Sequence, residues 1–353
     1  MKKLLSIVSI MLLMVSFVGC GKKEDKTAEG YAKELNLFIW SEYVSDDAIK
    51  GFEDKYGIKV NVSYFTSTDE MNAKLMSGNG KDYDLVQAGN SQVENLINQK
   101  YIQELDFNNI TNIKNLNKSA LNQEFDPEQK YSVEYLSSYT VIGYNKKTCP
   151  VEIKSVKDLL NPALKGTMVS ITSSRRIMAL ILDSLGYDPN TKDENQIKEA
   201  TDFLKKMKEN VKIFDGDAPR KSLLNGECSV ALIYNGDLAI AMNEQPDTYA
   251  VANINTGYVR ASNQWCIPTG VAHKKEAELF INYMLEPEVM AKNLDVYPYN
   301  CPNDEALKVV SEQYKKNPAL NLSEETMKKA VSVKEVGETE VVYDKYWSEF
   351  MSK

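Results

Sequence analysis

The sequence predicts an α/β protein of two lobes, built on mainly parallel sheets with a cleft between the lobes. The chain has 353 residues, a length sufficient for two hydrophobic cores. Its 43% hydrophobic and 26% charged residues are ordinary for a folded protein. Strand and helix patterns alternate along both halves of the chain, which is typical of parallel sheets covered by helices on both faces.

The first half of the chain repeats a strand-then-helix order. Ser45 is suited to cap a helix that Gly57 ends, since the two Asp residues after Ser45 suit the first helical turn. Ligands bind beyond the carboxyl ends of the strands in such sheets, so residues 41–43 and 89–91 are expected at a binding edge. The strands are predicted at 35–40, 58–64 and 84–88, and the helices at 46–56, at 66–77 and around 93–97.

The second half repeats this order, and residues 257–268 are predicted to cross back between the lobes. Strands are predicted at 140–144, 167–171 and 228–234, and helices from 174, at 200–207 and at 276–284. Two lobes joined by several crossings make a cleft, where small ligands usually bind. We expect lobe 1 to comprise 34–139 plus 257–315, and lobe 2 to comprise 140–256 plus 316–353.

The first twenty residues have the pattern of an export signal. Lys2 and Lys3 precede a short apolar run that ends at Gly19 and Cys20. This pattern predicts a signal peptide at 1–19 and, because the last two residues resemble a bacterial lipobox, lipidation of Cys20. Residues 20–33 then form a lipidated tether. The folded part is expected outside the cytoplasm, anchored by lipid to a bacterial membrane, in the periplasm or on the outer face of the cytoplasmic membrane.

Composition disfavours several classes of protein. The 42 basic and 50 acidic residues give a net charge of −8, which argues against a nucleic-acid partner. The sequence predicts no metal site and no cofactor, because the cysteines lack ligand spacing and His273 is the only histidine. An exported protein permits disulfides, but isolated buried thiols are the favoured interpretation for Cys149, Cys228, Cys266 and Cys301. Catalysis is disfavoured, since no P-loop, nucleophile elbow or zinc-protease motif is present and Gly78-Asn79-Gly80 is typical of a loop.

Aromatic residues at predicted strand ends point to ligand binding. Packing of the core or the lobe interface is expected to explain about half of the tyrosines and tryptophans. The others suit an aromatic box, in which ring faces attract an organic cation and a carboxylate neutralises it. Glu42 lies between Trp40 and Tyr43, and Asp237 follows Tyr234 closely. Two such groups on opposite lobes could hold the two ends of a diamine.

The run Leu-Phe-Ile-Trp-Ser-Glu-Tyr-Val at 37–44 resembles the opening signature of the polyamine-binding proteins of spermidine/putrescine ABC importers. The resemblance implies a two-lobe periplasmic-binding-protein fold that closes around a small amine and docks on an ABC permease in the cytoplasmic membrane. It also implies a polyamine such as putrescine or spermidine as ligand, and a monomer is expected. Further segments match in order at 57–60, 83–86, 141–145, 185–187, 233–236, 267–268, 274–283, 336–337 and 343–346.

The resemblance also implies the binding residues, and this chain departs from it at several of them. The matching positions are Trp40, Ser41, Glu42, Tyr43, Tyr234, Asp237 and Tyr297, and the departures are Ser91, Ser173, Arg176 and Asn263. Ser173, Arg176 and Asn263 all stand where the family has acids, and Arg176 also brings in a positive charge. An arginine about 4 Å from a ligand ammonium costs on the order of 4 kcal/mol at an effective dielectric near 20.

Arg176 leaves alternatives open. Its side chain could pair with Glu42 or Asp237 or point to solvent, or it could receive a carboxylate or phosphonate with help from Arg175 and Arg260. The second arrangement would favour a zwitterionic or anion-bearing amine, either amino acid-like or an aminophosphonate. A ligand sensor and an extracytoplasmic enzyme are the other classes to be distinguished from an importer's binding protein.

Overall fold

A single mixed sheet of ten strands runs through the described part of the chain. The computed structural model describes residues 26–77 and 81–352. The predicted signal peptide, Cys20 and the loop at 78–80 lie outside those ranges. The strands are β1 (Glu34–Trp40), β2 (Lys59–Phe65), β3 (Leu85–Gly89), β4 (Ser132–Asn145), β5 (Met168–Ser170), β6 (Val211–Phe214), β7 (Val230–Tyr234), β8 (Tyr249–Val251), β9 (Val259–Cys266) and β10 (Val331–Ser332).

Helices follow most of the strands and cover the sheet. Within the described residues, no helix combines the length and the apolar character that crossing a bilayer requires. The helices are α1 (Asp46–Tyr56), α2 (Thr68–Ser77), α3 (Asn90–Asn98), α4 (Ser174–Leu185), α5 (Glu194–Met207), α6 (Arg220–Leu224), α7 (Asn235–Glu244), α8 (Lys274–Met284), α9 (Pro287–Val296), α10 (Asp304–Val309), α11 (Glu312–Lys316), α12 (Glu324–Lys328) and α13 (Glu340–Ser352).

The sheet consists of two parallel groups joined by two antiparallel strands. In the order β2-β1-β3-β9-β4-β7-β5-β6, strand β1 pairs in parallel with β2 and β3, and β5 pairs in parallel with β6 and β7. Strands β4 and β9 are antiparallel to each other and lie between the groups. Strand β4 is longer than predicted because it pairs with β9 along its first part and with β7 along its second.

Local chemistry sets the ends of α1 as predicted. The Ser45 hydroxyl accepts a hydrogen bond from the amide of Ala48 at 3.2 Å, which satisfies one of the free amides of the first turn. Gly57 ends the helix in the left-handed conformation with φ of 64°, where glycine carries no Cβ penalty. The helix then buries Phe52 beside Phe280 of α8, with ring centroids 4.9 Å apart.

The four described cysteines are free thiols, as the sequence predicted. Cys228, Cys266 and Cys301 are buried, and Cys149 is half-buried with its thiol donating to the Val151 carbonyl at 3.2 Å. The Nδ1 atom of His273 lies 3.2 Å from the Asp84 carboxylate, in a structural position near the start of α8.

Candidate functional site

The last residue of β1 and the segment after it carry an aromatic pair that hydrogen-bonds to β9. The indole Nε1 of Trp40 donates to the Asn263 side-chain oxygen at 3.1 Å, and the Asn263 amide donates to the Tyr43 hydroxyl at 2.9 Å. The Tyr43 ring stacks on Tyr299 with centroids 4.8 Å apart. The structure therefore brings together Trp40, Tyr43 and Asn263, three of the residues that the sequence selected.

Hydrogen bonds fix both the hydroxyl and the backbone carbonyl of Tyr43. Its backbone carbonyl accepts from the Tyr135 hydroxyl at 3.1 Å and from the Asn293 amide at 3.0 Å. Burial raises the pKa of Tyr43 to about 12, although the nearby Arg176 guanidinium lowers it in part. The phenol is therefore neutral at physiological pH and can both donate and accept hydrogen bonds.

Ser41 and Glu42 face residues from the other half of the chain. The Ser41 hydroxyl donates to an Asp217 carboxylate oxygen at 3.2 Å. Glu42 has a φ of 55°, in the left-handed region that non-glycine residues enter at a cost of about 1–2 kcal/mol. The Glu42 carboxylate contacts Arg220, a residue that was not predicted from the sequence.

Arg220 is the first residue of α6, and its guanidinium joins two predicted site acids. Its Nη1 lies 2.9 Å from Glu42 Oε2, and its Nη2 donates to Glu42 Oε1 at 3.0 Å. The same Nη1 also donates to Asp237 Oδ1. Glu42 and Asp237 therefore contact the same guanidinium, and this side chain of the protein lies between the two acids. The two acids hold the Arg220 guanidinium in its charged form and raise its pKa.

Asp237 is a buried carboxylate with spare hydrogen-bonding capacity. It lies in the first turn of α7, where the helix dipole favours a negative charge, and its side chain is only 3% exposed. Its second oxygen, Oδ2, has no hydrogen-bond partner in the described structure. Burial raises the pKa of Asp237 to about 7, and the Arg220 guanidinium lowers it only in part.

Arg176 approaches the same site from the first turn of α4. Its Nη1 donates to the Ser138 hydroxyl at 2.8 Å, and its guanidinium carbon lies 4.9 Å from the ring centroid of Tyr234. No carboxylate of the described residues forms an ion pair with it. The alternative in which Arg176 pairs with Glu42 or Asp237 is therefore wrong, because Arg220 takes that place.

The other two arginines considered for an anion site lie elsewhere. Arg175 Nη1 is 2.8 Å from a Glu340 oxygen, and its guanidinium carbon lies 4.0 Å from the ring centroid of Tyr343. Arg175 therefore links α4 to α13. Arg260 Nη2 donates to the buried Glu134 carboxylate at 2.6 Å. The expectation that these arginines could assist Arg176 is therefore wrong, since each is already paired with an acid.

The remaining predicted residues are Tyr297, Ser173 and Ser91. Tyr297 ends α9 and is half-buried, and burial followed by the Glu42 charge raises its pKa. Ser173 precedes α4 and makes no side-chain cap bond. Ser91 lies in the first turn of α3 and donates to the Gln92 side chain at 3.0 Å. No hydrogen bond in the described structure joins either serine to the other site residues.

An opening of about 410 Å³ lies beside the site, within the size range of small-ligand pockets. Asp217, which accepts from Ser41, is part of its wall. Its lining comprises Thr66, Thr172, Ile213, Phe214, Asp215, Gly216 and Asp217. Among the described residues, no group of three histidine, cysteine or acidic side chains is placed to hold a metal ion.

Four residues that contact the predicted site residues were not predicted from the sequence: Arg220, Asp217, Ser138 and Tyr299. One signal could have found the first two: residues 215–219 read Asp-Gly-Asp-Ala-Pro, a turn pattern directly after β6. The carboxyl end of a strand is where this type of sheet binds its ligands, so that turn belongs to the binding edge.

Comparison with known proteins gives consistent matches. The family described as bacterial extracellular solute-binding protein matches residues 47–321. The spermidine/putrescine-binding periplasmic protein of Escherichia coli (strain K12) is 31% identical over 314 residues, covering 89% of this chain and 90% of that protein. Spermidine/putrescine-binding periplasmic protein 1 of Haemophilus influenzae is 30% identical over 356 residues, covering 99% of each.

Solved structures extend the similarity to the fold. A Listeria monocytogenes structure, described provisionally as a spermidine/putrescine ABC transporter, superimposes with a TM-score of 0.86 at 25% identity, covering 91% of this chain and 99% of that chain. The predicted two-lobe periplasmic-binding-protein fold and the resemblance to this family are confirmed. The relatives are solute-binding proteins of ABC transporters rather than enzymes.

Proposed function

The chain belongs to the bacterial extracellular solute-binding protein family, and we propose that it captures a small amine for an ABC importer. A polyamine such as putrescine or spermidine is the proposed ligand class, because the curated relatives are named for these two molecules. The proposed partner is an ABC permease in the cytoplasmic membrane.

The observation that carries this proposal is the convergence of rings and acids at one place. Trp40 and Tyr43 are tied to Asn263, while Glu42 meets Asp237 through Arg220. Ring faces attract an organic cation by about 0.5–2 kcal/mol each, and carboxylates neutralise it. A linear amine with a charged end and an apolar chain fits such a site.

The proposed capture involves closure of two lobes, 34–139 plus 257–315 and 140–256 plus 316–353. Support comes from contacts that join the segment after β1 to the segment before β7. Ser41 donates to Asp217, and Glu42 contacts Arg220. In a closed cleft such contacts would lie across the lobe interface and stabilise the form that docks on the permease. The proposed protein is a monomer, anchored outside the cytoplasm by lipid on Cys20.

A second candidate is a zwitterionic or anion-bearing amine on the same scaffold. It is favoured by Arg176, a half-buried guanidinium with a serine and an aromatic ring as partners and no paired acid in the described structure. A planar guanidinium binds carboxylates and phosphonates through two parallel hydrogen bonds. The amine of such a ligand would face Asp237 and its acid would face Arg176.

A thermal-shift screen distinguishes these candidates. Putrescine and 4-aminobutyrate have the same chain length, and they differ in carrying an ammonium or a carboxylate at one end. We expect putrescine and spermidine to raise the melting temperature, with ligand recovered unchanged by mass spectrometry. Stabilisation by 4-aminobutyrate, amino acids or aminophosphonates alone would reject the polyamine proposal and support the second candidate. Conversion of the ligand would contradict both.

A further inference from the structure

Arg220 occupies the place where a ligand's cation would bind. Its guanidinium contacts Glu42 and Asp237, acids that are 195 residues apart in the chain, and its side chain is only 12% exposed. The predicted role of these two acids is to neutralise a ligand ammonium. The protein therefore provides its own cation at the proposed amine subsite.

The contacts of Arg220 are unequal. Glu42 is 39% exposed and offers both of its oxygens to the guanidinium. Asp237 is nearly fully buried and uses Oδ1 alone, which leaves Oδ2 without a partner. A buried carboxylate oxygen without a donor is costly, so a second donor at that position would be stabilised. An ammonium group carries three donors and suits both Oδ2 and the position that Arg220 holds.

We propose that Arg220 is an internal competitor for the amine subsite, and that ligand amines bind by displacing its guanidinium from Asp237. This inference rests on the proposed function. It makes Arg220 a specificity-determining residue, because the ligand must supply an amine that replaces the bonds to Asp237. Arg220 begins the short helix α6 directly after the turn at 215–219 and belongs to no strand, so displacement of its side chain would break no hydrogen bond of the sheet.

The consequence for affinity follows from competition. While Arg220 occupies the subsite, the binding-competent fraction of the protein is reduced, and the apparent dissociation constant rises in the same proportion. Removing the guanidinium should strengthen amine binding. If Arg220 merely joined the two lobes, its removal should weaken binding, because the closed form would lose a contact.

The test compares Arg220→Gln with Lys221→Gln at pH 8, by calorimetric titration with putrescine, spermidine and 4-aminobutyrate. Lys221 is an exposed neighbour on the same helix, so its variant removes the same charge without touching the two acids. We expect Arg220→Gln to bind putrescine about tenfold more tightly than the natural chain, with Lys221→Gln unchanged. Equal or weaker binding by Arg220→Gln would overturn the inference while leaving the proposed function intact.

A second measurement on the natural chain covers the case in which Arg220→Gln does not fold. The side-chain Nε–H resonance of Arg220, identified by its absence in Arg220→Lys, should shift on saturation with putrescine, while that of Arg175 stays in place. An unmoved Arg220 resonance with bound putrescine would contradict displacement. If none of the three probes binds either the natural chain or the variants, the proposed function itself fails.

Discussion

Arg176 lies over the Tyr234 ring and hydrogen-bonds to Ser138, with no paired acid in the described structure. We expect Arg176→Glu to strengthen putrescine binding by at least about tenfold, because a repulsive charge becomes an attractive one. The matched control is Lys198→Glu, which makes the same charge change at an exposed position of α5. Calorimetry at two salt concentrations measures the effect, and equal affinity of Arg176→Glu and the natural chain would contradict a cleft-facing Arg176.

The pKa of Asp237 predicts how amine binding depends on pH. Its pKa of about 7 means that the carboxyl is mostly neutral at pH 6 and mostly ionised at pH 8. The other charged groups that face it are Glu42, Asp215 and Arg220, and the guanidinium does not titrate in this range. An ammonium binds the ionised form, so putrescine affinity should rise by about tenfold from pH 6 to pH 8.

The control for this pH dependence is Asp237→Asn, which cannot ionise. We expect that variant to bind putrescine weakly at every pH and to show a flat profile by calorimetry. A natural chain whose affinity falls as pH rises, or a variant with the same slope, would rule out Asp237 as the titrating group.

Helix α1 offers a prediction about Gly57, the residue that caps its carboxyl end. Gly57 has a φ of 64°, and a Cβ there would meet only the Thr27 methyl at 3.8 Å, so space is available and backbone strain decides the outcome. Gly57→Ala should lower the free energy of unfolding by about 1 kcal/mol. Gly57→Asn should cost less, because asparagine enters the left-handed region more readily. Urea denaturation measures both, and equal stability of the two variants would contradict this explanation.

The same helix illustrates what the sequence can predict. Ser45 and Gly57 act through contacts within a few residues, so both ends of α1 follow from local chemistry. Strand β4 differs, because its first part is held by β9, more than a hundred residues later in the chain. Apolar and polar residues alternate less clearly in 132–139 than in a strand that can be predicted from local sequence. Pairing with β9 fixes the conformation of these residues. The predicted strand at 140–144 is therefore only the end of a longer one.

At the scale of the whole molecule, the family and the fold could be predicted from short motifs spread over the chain. The position of Trp40, Glu42 and Tyr43 at a strand end was predictable for the same reason, because β1 is a local pattern. The pairing of Glu42 with Arg220 was not predictable, since the two residues lie 178 positions apart, although the turn before Arg220 marks that segment as part of the binding edge. Long-range ion pairs depend on how the lobes meet, which no local signal encodes.

The two central strands also constrain how the lobes can move. Strand β9 pairs with β3 of one parallel group and with β4, and β4 pairs in turn with β7 of the other group. If these hydrogen bonds stay formed, opening of the proposed cleft would require the two strands to bend or twist. Motions of this kind involve the whole sheet and occur over microseconds to milliseconds.

The free thiols would allow the proposed motion to be tested by spectroscopy. Burial raises the pKa of Cys228 to about 11 and of Cys301 to about 12, and it raises the pKa of Cys266 still further, so few thiolates are present to react. In a chain that begins after Cys20, only half-buried Cys149 would need replacement by serine. Cysteines introduced on the exposed surface of each lobe could then carry a fluorescent dye pair, and single-molecule energy transfer would follow opening and closing directly.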